Sequence, residues 1–371
     1  MRIMRLGLWI SAGFLTLPAA ASERSTINMP QGVTEISHTV YDLHMLILGI
    51  CTLIGIGVFG TMFYSIIRHR KSAGHEAAQF HESTTVEIIW TLIPLLILIG
   101  MAIPATKTLI AMEDTSDSDM TIKVTGYQWK WEYEYLDEGI RFFSNLATPR
   151  SEIENQQSKN ENYLLEVDNP VVVPINKKIR FLLTANDVIH SWWVPDLAVK
   201  KDAIPGFINE MWTVIDKPGT YRGQCTELCG KDHGFMPVVL VALEEQDYLN
   251  WVEEQKSATA AEQSLSSKIF EMAELVSKGE EVYNQSCASC HQANGEGLPG
   301  VFPGIKGSPV ATGDMSEHID IVMKGSQGTA MQAFAGQLSD VDIAAVITYQ
   351  RNAWGNDMGD MLQPAQVASQ R

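Results

Sequence analysis

The chain has 371 residues and a formal net charge of −17, which leaves room for two or three domains. So acidic a balance excludes a nucleic-acid partner and favours basic ones. Of the five cysteines, four fall in two short polar motifs and the fifth, Cys51, lies in an apolar run, so none is left for a structural disulfide elsewhere.

At the N-terminus, Met-Arg-Ile-Met-Arg, the apolar stretch Leu6 to Leu17 and the small residues up to Ala21 have the three regions of a secretory signal. The apolar part is short for a membrane span, so residues 1–21 are expected to be a cleaved signal, with an uncleaved anchor as the alternative. Residues 22–112 then hold an N-terminal segment and a transmembrane hairpin. Its helices, 43–67 and 88–110, each exceed the roughly 20 residues that cross a bilayer. Their one charge is Lys107, near the end of the second, apart from Glu87 just outside its start. The basic run Arg68-His-Arg-Lys71 between them points to the cytoplasmic side, which puts everything beyond about Glu113 on the opposite face. Pro94 and Pro104 are tolerable in a membrane helix that has protein neighbours, an indication of packing against a larger integral subunit.

Over residues 113–245 the pattern changes to short alternating runs rich in aromatic and β-branched residues. Thr121 to Tyr135, Lys178 to Ala185, Glu210 to Ile215 and Met236 to Leu243 are examples, and they read as strands of a sandwich or Greek-key barrel. This region carries Cys225-Thr-Glu-Leu-Cys229-Gly-Lys-Asp-His233-Gly-Phe-Met236, with His190 upstream in Val-Ile-His-Ser-Trp-Trp. Thiolate, imidazole and thioether donors together select copper, and two thiolates are able to bridge a pair of copper ions with one imidazole terminating each. A disulfide between Cys225 and Cys229 and a tetrahedral zinc site are the rival readings. Met236, a ligand zinc does not use, and the redox motif downstream favour copper. Trp129 and Trp131, alternating on one strand, read as packing residues.

Residues 244–266, polar and rich in Glu, Gln, Ala and Ser, read as a helix fading into a linker, the linker as a whole being assigned to 246–274. A small α-helical domain follows over 275–354. It contains Cys287-Ala-Ser-Cys290-His291, the attachment signature of a c-type haem: two thiols form thioethers and the adjacent histidine ligates iron. A thioredoxin-like dithiol is the competing reading. Residues 355–371 read as a flexible tail.

The copper-loop motif, together with Gly126-Tyr-Gln-Trp-Lys-Trp-Glu-Tyr-Glu-Tyr135, Leu165-Glu-Val-Asp-Asn-Pro170, Asp187-Val-Ile-His-Ser-Trp-Trp-Val-Pro195 and Lys201-Asp-Ala-Ile-Pro-Gly206, resembles subunit II of the haem-copper cytochrome c oxidases over about residues 35–245. The C-terminal part resembles a class I cytochrome c, as in oxidases of the caa type. The resemblance implies a multidomain membrane protein with a two-helix hairpin, an all-β cupredoxin-like sandwich bearing a dinuclear copper (CuA) site, and a cytochrome c domain. It further implies copper ligands His190, Cys225, Cys229, His233 and Met236 with the backbone carbonyl of Glu227, and a magnesium or manganese ion held by the Glu227 carboxylate where subunit I begins. For the covalent haem c it implies Met331 as the sixth ligand, although Gln332 stands where the family usually has proline. Trp129 would be the electron entry to copper and Glu87 would lie at the mouth of a proton channel, where a favourable helix N-terminal acid is an equally adequate reading.

The implied partners are subunit I, subunit III, a soluble or membrane cytochrome c donor and the lipid bilayer, in a bacterial inner membrane with both redox domains on the outer face. Electrons would run from cytochrome c through haem c and copper to subunit I, where oxygen is reduced. Two other readings compete: the copper-bearing entry subunit of another reductase, such as a nitric oxide reductase, and a copper carrier for oxidase assembly, which has no use for covalent haem.

Overall fold

The computed structural model describes residues 27–371 except 75, 77, 78 and 80; the expected signal lies outside the described residues. Two apolar helices, α1 (Glu35–Arg68) and α2 (Thr84–Glu113), lie against each other and leave side chains such as Leu53, Ile56, Leu96 and Leu98 bare. Both are longer than the apolar spans alone. Thr34 caps α1 in a reciprocal box with Ser37, and a helix of 34 residues measures about 50 Å against a hydrocarbon core of about 30 Å. The first turns of α1 therefore stand clear of the bilayer and dock on the β-domain, where Val33 N donates to Asp196 O (2.9 Å) and Thr34 Oγ1 to Leu197 O (3.2 Å). At the end of α2, Ala111 O accepts from Trp212 Nε1 (3.1 Å) and Glu113 pairs with Lys201.

The β-domain packs two five-stranded sheets face to face. One has the order β3-β2-β1-β5-β8 and the other β4-β10-β9-β6-β7. In chain order the strands are β1 (Met120–Tyr127), β2 (Lys130–Tyr135), β3 (Ile140–Ser144), β4 (Val171–Pro174), β5 (Lys178–Ala185), β6 (His190–Val194), β7 (Val199–Ala203), β8 (Asn209–Val214), β9 (Gly219–Cys225) and β10 (Pro237–Leu243), with a single helical turn α3 (Arg150–Ile153) after β3. β1 runs parallel to β5 and β4 to β10, and the remaining pairings are antiparallel. Alternation puts Trp131, Tyr133, Tyr135, Phe181 and Trp192 in the core. Their polar tips are satisfied: Trp192 Nε1 donates to Tyr133 Oη (3.0 Å) and Tyr135 Oη to Val172 O (2.8 Å), as buried polar groups require.

Two segments are tied down more firmly than their composition suggests. The expected polar helix is α4 (Glu245–Leu265), which takes up most of the linker assigned to 246–274. Its Tyr248, Trp251 and Val252 sit at helical spacing and pack on the β-domain, Trp251 against Tyr135 at 5.2 Å between ring centres. Only residues 266–271, between α4 and α5 (Met272–Ser286), connect without helix. The tail 355–371, expected to be flexible, returns to the C-terminal helical domain. Arg351, 2% exposed, pairs with Asp360 at 2.6 Å, while Leu362 and Val367 of α10 (Pro364–Ala368) and its approach are buried. A buried guanidinium needs a carboxylate, and that need pulls the tail in.

The C-terminal domain has its own core, built from α5, α6 (Ala288–His291), α7 (Pro309–Thr312), α8 (Met315–Lys324), α9 (Asp340–Asn352) and α10. Helices α5 and α9 cross at Gly279, where a Cβ would lie 2.1 Å from Ala345 O, so the approach requires glycine. His318 of α8 is buried and donates from Nε2 to Gln350 Oε1 at 2.8 Å. Burial, with Arg351 adding to it against the Gln350 bond and Asp360, holds its pKa down to about 4. The unfolded imidazole takes up a proton below about 6.5 while the folded one stays neutral, so stability is full above that pH and is lost as pH falls toward about 4. Denaturant unfolding of this domain should weaken by roughly 2 kcal/mol between pH 7 and pH 5, and His318→Gln should flatten that dependence.

Candidate metal centre

Strand pairing brings His190 and the cysteine loop together. β9 ends at Cys225 and β10 begins at Pro237, so the segment between them closes one end of the sandwich, fastened by Cys225 N to Met236 O (3.3 Å). β6 pairs with β9 through Trp192 and Cys225, which sets His190 beside the loop, and Thr226 N donates to Ser191 O (3.0 Å). Cys225 Sγ lies 3.8 Å from Cys229 Sγ and 3.4 Å from Glu227 O; Cys229 Sγ lies 3.4 Å from His233 Nδ1 and 3.5 Å from Met236 Sδ. The ligand atoms of His190, Cys225 and Cys229 fall within 4.8 Å of one another. All six donors named from the sequence therefore converge. The sulfur separation is that of two thiols rather than a disulfide, whose bond is about 2.05 Å.

The imidazole of His190 is prepared for a metal. Nε2 bonds to Asp187 Oδ1 at 2.8 Å, and Nδ1 is buried without a hydrogen-bond partner. Burial opposes charge on His190, but its contacts with Asp187 and Cys225 outweigh that and raise its pKa. The hydrogen bond between the two thiols holds Cys225 well below its ordinary range and holds Cys229 up. Trp131 packs edge-on to His190 at 5.9 Å and donates to Met236 O at 3.3 Å. Gly126 leaves room for the ring, since a Cβ there would lie 2.8 Å from His190 Cδ2.

The haem motif borders a cavity of about 1560 Å³, lined by Cys287, Cys290, His291 and Met331 and, from the β-domain, by Gln128, Trp129, Lys130 and Lys231. His291 Nδ1 donates to Pro303 O at 2.8 Å, which fixes the tautomer and leaves Nε2 for iron. Met331 faces this cavity whereas Met323 is buried in the helical core. Trp129 stands between the centres: its ring lines the cavity and Nε1 donates to Cys229 O (3.2 Å), which also accepts from Gln128 Nε2 (2.8 Å). Glu87 joins neither cluster. It is exposed in the first turn of α2, about 40 Å along the helix from Glu113.

The sequence profile described as cytochrome c oxidase subunit II, periplasmic domain, matches residues 120–243, and that of its transmembrane domain matches residues 22–108. A probable cytochrome c oxidase subunit 2 of Rickettsia bellii is 40% identical over 227 residues, 61% of this chain and 83% of the relative. This chain belongs to the cytochrome c oxidase subunit II family. A subunit 2 of Cyanidium caldarium is 39% identical over 61% of this chain and 89% of its own length. The crystal structure of the periplasmic domain of subunit II from Bradyrhizobium japonicum is 43% identical, with a TM-score of 0.35 over 39% of this chain and 98% of that one. Residues 274–349 match the profile of cytochrome c oxidase, cbb3-type, subunit III. The molecule is thus an oxidase subunit II with a cupredoxin-like domain, two membrane helices and a fused cytochrome c domain, an oxidoreductase component of a terminal oxidase. These families imply copper and haem, and the His190, Cys225 and Cys229 cluster fits CuA.

Within this subunit II, sequence reasoning assigned Asp187 no part in the site and left Trp131 as packing, yet Asp187 bonds His190 and Trp131 packs on His190 and donates to Met236 O. The i, i+3 spacing of Asp187 and His190 was the available signal. Gly126→Ala should push His190 off its position and cost about 10- to 100-fold in copper affinity with the β-domain still folded, as measured by copper retention against a chelator and by circular dichroism.

Proposed function

We propose that this chain is the electron-entry subunit of a bacterial aerobic oxidase, in which bound haem c and dinuclear copper supply the one-electron chemistry that links a cytochrome c donor to haem in subunit I, where oxygen is reduced to water. The observation that carries this reading is the convergence of two thiols, two imidazoles, a thioether and the Glu227 carbonyl on one loop that faces a haem-binding cavity across Trp129.

In this reading His190 Nδ1, Cys225, Cys229, His233, Met236 and Glu227 O hold copper. Cys287 and Cys290 anchor the haem, and His291 Nε2 and Met331 bind its iron. Asp187 keeps His190 in the tautomer that offers Nδ1. Trp131 and the β9–β10 register hold the loop to a rigid end of the sandwich, which limits rearrangement when the charge of the site changes. Trp129, hydrogen-bonded to a ligand residue and bordering the cavity, is the aromatic entry to copper.

The exposed carboxylate of Glu227 is offered to magnesium or manganese at the boundary with subunit I, and Leu228 beside it is 80% exposed, a contact suited to burial there. Glu87, exposed in the first turn of α2, is assigned to a proton path toward subunit I on the family resemblance alone. The bare faces of α1 and α2 pack on subunits I and III, with both redox domains on the outer side of the bacterial inner membrane.

Electron paramagnetic resonance of the full oxidised chain should show hyperfine structure from an electron shared equally by two coppers. Cys225→Ser should abolish that pattern while covalent haem is retained. A single-copper pattern in the unaltered chain, or zinc in its place, would refute the dinuclear reading. Met331→Ala should convert the haem to a five-coordinate or misligated spectrum; no spectral change would exclude Met331 as the ligand.

A further inference from the structure

Gln332, next to Met331, reaches out of its own domain. Its Nε2 donates to Asp187 Oδ2 at 3.0 Å and approaches Gln128 O at 3.4 Å. Its Oε1 accepts from Gln337 Nε2 at 3.2 Å, so the amide is oriented from within the haem domain with its donor side outward. Asp187 already accepts from Gln128 N through Oδ2 (2.8 Å) and holds His190 through Oδ1 (2.8 Å). One carboxylate therefore joins the residue after the iron-ligand methionine to a copper-ligand histidine.

Two further contacts flank this one. Lys231 Nζ donates to Ser289 O (2.9 Å), inside the haem-attachment motif. The Lys130 ammonium, on a residue only 7% exposed, lies over Phe143 at 4.6 Å on its own domain and over Phe334 at 5.6 Å on the other. It is held by two aromatic faces and, among the described residues, pairs directly with no carboxylate, and each such contact is worth more where water is excluded. Burial lowers its pKa to about 8, so it keeps most of its charge at neutral pH. All three contacts ring the cavity that holds the haem-attachment residues, and they touch both the attachment motif and the methionine loop.

We infer that Gln332 and Asp187 form an interdomain latch, supported by Lys231 on Ser289 and Lys130 on Phe334, that seats the haem domain with its cavity against Trp129 and the copper loop. This rests on the functional reading above. Gln332 is a positioning residue: it touches neither metal, and it sets which face of the haem domain meets the copper domain. The position demands a neutral or positive donor. Proline, which has no side-chain donor, would leave Asp187 Oδ2 without this bond, and a carboxylate would repel it.

The test is hydrogen–deuterium exchange on the full metal-loaded chain in detergent, comparing the unaltered protein with Gln332→Glu, Gln332→Ala and Gln332→Lys. A hydrogen bond to a charged group supports opening differences of about tenfold or more. Gln332→Glu should raise exchange by that factor at once in residues 128–130, 230–232, 287–290 and 329–336. Gln332→Ala should raise it in the same segments by less, and Gln332→Lys should keep the protection of the unaltered chain. Haem optical spectra and copper resonance should be unchanged in the Ala and Lys variants, which shows that ligation survives. Unchanged exchange at 128–130 and 230–232 in both the Glu and Ala variants would overturn the latch while leaving the dinuclear copper reading intact. Coordinated loss of protection in a chain that proves to hold zinc would uphold the latch and defeat that reading instead.

Discussion

Asp187 has two carboxylate oxygens, and each is committed to a different part of the molecule. Oδ1 takes His190 and the backbone N–H of Val188; Oδ2 takes the backbone of Gln128 and the amide of Gln332. A carboxylate satisfied on both oxygens is fixed in rotation, and so are the groups it holds. The ring of His190 is fixed with Nδ1 inward, and the Gln128–Lys130 turn, which carries Trp129, is fixed relative to it. The metal centre, its aromatic neighbour and the haem domain are aligned through one side chain.

That alignment rests in turn on the sandwich. The β6–β9 and β9–β10 registers determine that His190, Cys225 and Met236 arrive at the same end. The stack of Trp131, Tyr133, Trp192 and Phe181 keeps those registers from slipping, because a one-residue shift would turn each large ring to the wrong face. Where a metal changes oxidation state, such a frame keeps the ligands from following the charge, which is the physical use of placing the loop on two packed sheets rather than on a helix bundle.

Chemistry was the most legible part of the sequence. The Cys225–Met236 spacing and the Cys287-Ala-Ser-Cys290-His291 run state their donors outright, and the alternating runs gave the strands because period-two patterning reports directly on burial. What was hidden lay in contacts between distant segments. Tyr248, Trp251 and Val252 are sparse in a polar stretch, so α4 read as a polar helix while its docking on Tyr135 and Phe142 of the β-domain stayed hidden. The tail read as disordered because its anchors lie on other segments: Asp360 serves a buried Arg351, Leu362 N donates to Thr348 Oγ1 and Gln363 bonds to the backbone of Phe270. Gln332 was visible only as a departure from proline; its meaning required Asp187, 145 residues away.

The segment 266–271 joins two anchored bodies, since α4 is pinned to the β-domain and α5 is locked in the haem core. Fully extended, so short a tether reaches about 20 Å. A domain confined to such a radius is present at its docking face at roughly millimolar effective concentration, whatever the abundance of carriers in solution. In the proposed reading the copper face would thereby be reserved for the chain's own haem domain, and a free cytochrome would deliver its electron to the haem rather than to the copper. On that reading, the length of one unremarkable loop would decide at which of two centres an outside electron enters.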